Sequence, residues 1–139
     1  MLQIIAGEKG KGKTKIMLDK VSADLKTAKG NILYLDKDDK HIYELNNKIR
    51  LINVSDYGLE KPMEFVGFIC GIISQDHDLE KVYLDSFLSV ACADKAALEA
   101  VIEKLEVISA KFEVDFVISV SINADSLPEN VKKYVTVSL

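Results

Sequence analysis

Residues 7–14 read GEKGKGKT, and no other stretch narrows the possible folds of this chain as far. An apolar run, Leu2–Ala6 (LQIIA), leads into it. That run is too short for a helix and stops at Gly7, so it is read as a buried strand. From Thr14 to about Lys29 the spacing is helical, with Ile16, Met17, Val21 and Leu25 on one face. The glycines between let the backbone turn tightly. The chain therefore begins strand, tight loop, helix.

The same alternation continues to the end. Gly30-Asn31 stops the first helix. Ile32–Asp36 (ILYLD) is a second strand, followed by a charged turn at Lys37–Lys40. Ile49–Val54 is a third strand. Pro62 starts a helix that runs to about Gln75. Val82–Phe87 is a strand, and Asp94 caps a long helix reaching Phe112. Asp115–Ser121 is a further strand. Leu127–Lys133 is a short helix entered through Pro128, and Tyr134–Val137 is a last strand. Strands that alternate with helices predict an α/β three-layer sandwich, a mostly parallel sheet with helices on both faces. The 139 residues are expected to form one domain, 1–139, without repeats or linkers.

GEKGKGKT fits the pattern GxxxxGK[ST] at Gly7, Gly12, Lys13 and Thr14. Its glycines allow backbone N–H groups to point inward beside a helix N-terminus, which makes an anion site. The nucleotide-binding stretch is taken as Gly7, Glu8, Lys9, Gly10, Lys11, Gly12, Lys13, Thr14 and Lys15. Lys13 is the residue to reach the β- and γ-phosphates, and Thr14 offers its hydroxyl to Mg²⁺. Lys9 and Lys11 read as exposed lysines that raise the local potential.

KVYLDSF, residues 81–87, resembles a Walker B strand, whose Asp, here Asp85, holds Mg²⁺ through water. The residue after it is Ser86 rather than Glu. That form is similar to the RecA/KaiC-like P-loop ATPase core, and the resemblance covers about residues 1–138. A ParA/MinD-type loop would carry Lys directly after its first glycine, where this chain has Glu8. The resemblance implies a RecA-like P-loop NTPase fold with ATP and Mg²⁺ as cofactors. It also implies a catalytic carboxylate just after the second strand. In YLDKDDKH (34–41) that position falls on Asp38, with Asp39 as a neighbour. Asp38 is one methylene shorter than the family's Glu, and a solvated turn of Asp36, Asp38 and Asp39 is the competing reading. The γ-phosphate sensor would come from Ser119, Ser121 or Asn123, with Ser121 and Asn123 preferred at the strand end. All these groups would meet at the carboxyl ends of the strands.

Three functions stay open: a slow ATPase acting as a switch or assembly subunit, a small nucleotide or metabolite kinase, and a nucleotide-binding module that does not hydrolyse. Kinases clamp phosphates with arginines. This chain has only Arg50, in an expected edge strand. An ATPase of this kind takes a cation from a second copy or a protein partner, and the one late basic cluster is Lys132-Lys133. Those two lysines also read as a solvated pair. Tyr57 and Tyr134 are the aromatics considered for stacking on a base.

The net charge of −4 argues against broad contacts to nucleic-acid phosphates. No apolar run is long enough for a membrane span, and the first residues do not read as a signal peptide. Cys70 and Cys92 are expected as reduced thiols in or near the core, and His41 and His77 lack zinc-ligand spacing. A cytoplasmic protein is the expectation.

Overall fold

A computed structural model describes residues 1–139. Its strands are β1 (Leu2–Ala6), β2 (Asn31–Asp36), β3 (Arg50–Asn53), β4 (Leu79–Leu84), β5 (Asp115–Val120) and β6 (Val135–Ser138). Its helices are α1 (Lys13–Leu25), α2 (Pro62–Gln75), α3 (Phe87–Val90), α4 (Leu98–Phe112) and α5 (Glu129–Lys132). The six strands form one sheet in the order β3-β2-β4-β5-β1-β6, and every pairing is parallel. The expected α/β architecture is therefore present, with helices on both faces.

Side chains alternate across a strand with period two. Leu33 and Leu35 of β2, Val82 and Leu84 of β4, and Phe116, Ile118 and Val120 of β5 face one side. There they meet Phe65, Val66, Ile69 and Ile73 of α2 and Val101, Ile102 and Leu105 of α4. Phe65 packs edge-on to Phe87, with ring centroids 6.0 Å apart. Ile32 and Tyr34, Tyr83, and Val117 face the other side, where Met17 and Val21 of α1 cover them. Ile16 and Leu25 lie at the margin of that contact.

Several boundaries differ from expectation. β4 ends at Leu84, not Phe87. Ser86 takes a left-handed conformation (φ 53°), which breaks the strand and turns Phe87 into the start of α3. α1 stops at Leu25, short of Lys29, because Lys26 already belongs to the closing turn. Asp94 caps the turn before α4: its carboxylate accepts from the Ala97 N–H at 2.9 Å, and the regular helix starts at Leu98. Both cysteines are free thiols, but Cys70 is exposed. α2 buries one face only, and Cys70 falls on the other. Arg50 does lie on an edge strand. No helix is long and apolar enough to cross a membrane.

Candidate functional site

The glycine-rich loop leaves the C-terminal end of β1 and enters α1. Gly10 and Gly12 adopt φ of 84° and 91°, which disfavours any residue with a Cβ. Gly12 is the N-cap of α1, so Lys13 and Thr14 stand at the first turn. No carboxylate of α1 itself occupies that turn, where the positive end of the helix dipole lies. Lys13 is only 8% exposed, and its Nζ donates to the Glu8 carbonyl at 3.0 Å. Burial pushes its ammonium pKa down, against the pull of the Asp85 charge.

A cleft of about 680 Å³ opens at the carboxyl ends of the strands. It brings together Lys9, Gly10, Gly12, Lys13 and Thr14 from the loop and α1, Asp36 at the end of β2 and Asp38 just past it, Asp85 after β4, and Ser119 on β5 with Ser121 just past it. Gly7, Glu8, Lys11 and Lys15 belong to the same segment but do not line the cleft. Lys15 pairs with Asp19 at 3.0 Å on the outer face of α1. Asn123 is not brought in. It caps the next turn, accepting from the Asp125 N–H at 3.0 Å. Lys132 pairs with Glu129, Lys133 lies over the Tyr134 ring, and Tyr57 packs on Phe68. None of these lines the cleft.

The best-anchored group in the cleft is Asp85, 2% exposed. Oδ1 accepts from the Ser119 hydroxyl at 2.6 Å and the Ser86 N–H at 2.9 Å. Oδ2 accepts from the Tyr34 hydroxyl at 2.7 Å. Asp36 stands on the neighbouring strand, 4% exposed, and accepts from the Lys37 N–H at 2.7 Å. Burial, then the nearby Asp85 charge, push its carboxyl up to about 6. Asp36 is thus not part of a solvated turn, as one reading of residues 36–39 held, because it is the last residue of the buried strand. Asp38 is half-buried and accepts from the Lys40 N–H at 3.2 Å, and Asp39 does not line the cleft.

Sequence reasoning gave no role in the site to Asp36, Tyr34, Lys37, Lys40 or His41. A signal for the first two was present. Tyr-Leu-Asp closes β2 at 34–36 and recurs at 83–85, where β4 ends at Leu84, and the sheet pairs Tyr34 with Tyr83 and Leu35 with Leu84. Equal tripeptides in register bring Asp36 and Asp85 to the same cleft. No local signal marked Lys37, Lys40 or His41, which enter it through the path of the loop.

A wholly parallel sheet flanked by helices, with a glycine-rich loop between β1 and α1, has the topology of the RecA-like P-loop fold. Among solved structures, the chain is similar to the crystal structure of flagellar accessory protein FlaH from Methanocaldococcus jannaschii, with a TM-score of 0.61 and 15% identity. The match covers 95% of this chain and spans 65% of the length of that one. At this identity the likeness concerns the fold alone. No protein-family model and no curated protein matches the chain.

Proposed function

We propose that the cleft binds a nucleoside triphosphate, ATP, with Mg²⁺, and that the protein is a slow RecA-like ATPase acting as a switch or assembly subunit. The observation that carries this reading is the meeting of Lys13, Thr14 and Asp85 in one cleft at the N-terminus of α1. Lys13 and the helix dipole attract the phosphates. The donor set suits a hard cation, because Thr14 and Asp85 offer oxygen and Asp36 adds a carboxylate that forms no ion pair. No three His, Cys, Asp or Glu form a cage for a metal. Mg²⁺ keeps waters and phosphate oxygens as most of its ligands, so Thr14 and Asp85 would be its protein contacts. When bound, Mg²⁺ spreads charge from the phosphate oxygens.

Asp38 is the candidate to orient the attacking water. Its short side chain is held in a local turn by the Lys40 N–H, and that favours a second reading, binding without hydrolysis. The kinase reading has less support, since Arg50 does not line the cleft. Lys37 and Lys40 do line it, and neither forms an ion pair. A cation for the γ-phosphate is thus available within the chain, besides the one that a second copy or partner could bring.

Calorimetric titration with Mg-ATP and Mg-GTP tests binding. ADP release, with and without phosphate acceptors and across protein concentration, tests the rest. Binding with turnover that rises with concentration supports the assembling ATPase. Flat turnover points to the cis lysines. Binding with no turnover supports the silent module, and no binding ends the reading.

A further inference from the structure

We infer that Tyr34 is a positioning residue, which aims the Asp85 carboxylate at the metal. The inference rests on the Mg-nucleotide reading of the cleft. A carboxylate has about four acceptor sites, two on each oxygen. At Asp85, Oδ1 already takes two donors, Ser119 Oγ at 2.6 Å and Ser86 N at 2.9 Å. Oδ2 takes one, the Tyr34 hydroxyl at 2.7 Å. A single acceptor site is left, on Oδ2, and the Tyr34 hydroxyl sets which way it points. Mg²⁺ keeps most of its waters, so one aimed acceptor is the contact this carboxylate has to supply.

Tyr34 is built for that task. It is fully buried, so its hydroxyl must be bonded inside the protein. A phenol donates one hydrogen bond, and here the Asp85 carboxylate accepts it at 2.7 Å. Its ring lies parallel to that of Tyr83, its partner on β4, with centroids 6.0 Å apart. The Tyr83 hydroxyl turns to Asp24 of α1, which Lys81 also pairs at 3.0 Å. The two rings brace each other, but only Tyr34 touches the carboxylate in the cleft.

Tyr34→Phe removes the hydroxyl and keeps the ring. Outer-shell changes of this kind cost about tenfold or more in metal affinity. The variant should therefore need about tenfold more Mg²⁺ for half-maximal tightening of ATP binding. Affinity in EDTA should stay at the wild-type value. Tyr83→Phe is the control, since it deletes a buried phenol of the same face that does not touch Asp85. The proposal is overturned if Tyr34→Phe keeps the wild-type Mg²⁺ dependence, or if Tyr83→Phe shifts it equally. Should Tyr34→Phe not fold, a crystal structure of the wild-type protein with Mg²⁺ and a non-hydrolysable ATP analogue takes its place: a metal contact on Oδ2, beside the Tyr34 hydroxyl, supports the proposal, and one on Oδ1 overturns it. If wild-type protein binds ATP without regard to Mg²⁺, the parent reading fails and the inference goes with it. Intact wild-type dependence beside an unaltered variant sinks the inference alone.

Discussion

The face of the sheet beneath α2 and α4 buries a cluster of 28 residues, all apolar. The face beneath α1 buries a cluster of nine, and two of these are tyrosines hydrogen-bonded to carboxylates. Apolar burial is strong but has no direction. Hydrogen bonds are weaker in net terms but fix where atoms sit. The larger face therefore holds the fold, and the smaller one sets the geometry of the cleft. Stability and site geometry should separate when each face is altered in turn.

The largest expected effect is on the apolar face. Phe65→Ala should lower unfolding free energy by about 3–5 kcal/mol, read by denaturant titration. The folded fraction should bind Mg-ATP as before. A matching loss of affinity would show that the two faces are not separable. Next comes Lys13→Ala, with an expected loss of about 1.5–3 kcal/mol in Mg-ATP binding by calorimetry. Its melting temperature should hold or rise, because burial disfavours the lysine charge in the free protein. Undiminished affinity would remove the phosphate reading of the loop.

Asp85→Asn should weaken Mg²⁺-dependent binding about tenfold, ~1.4 kcal/mol. Binding in EDTA should change little, and equal losses in both conditions would count against a metal role. The smallest effect concerns Asp36 and pH. Its carboxyl titrates near 6 in the folded chain, above its ordinary value of 3.8. The folded state thus binds this proton more tightly than the unfolded one. The favourable contribution is complete at acid pH and is lost as pH rises through about 4 to about 6. Asp36→Asn should therefore stabilise the free protein by about 1 kcal/mol at pH 8, after allowing for solvent at the cleft mouth. The gain should vanish near pH 4. A pH-independent gain would mean that the carboxylate charge is not the cause.

Much of this was legible along the chain. Pro62 and the spacing after it located α2 at Pro62–Gln75 as observed, and LQIIA before GEKGKGKT located β1 and the loop. Turn residues and apolar period act over a few positions, so a linear reading can find them. The end of β4 was less legible. LDSF carries apolar residues on both sides of the break, and the left-handed Ser86 has no glycine to announce it. The place of Asn123 was less legible for a related reason. Its place near a strand end suggested the cleft, yet the local cap at Asp125 N claims its side chain.

By itself the sequence determined the alternation of strands with helices and the glycine-rich turn between β1 and α1. Only the tertiary structure decided the strand order β3-β2-β4-β5-β1-β6 and, with it, which carboxylates are dry and what they touch. Tyr34 meets Asp85 across 51 residues of chain, and Ser119 meets it across 34. Periodicity and turn chemistry are properties of neighbours in sequence. The solvation and aim of a carboxylate depend on neighbours in space, and those exist only once the sheet has assembled.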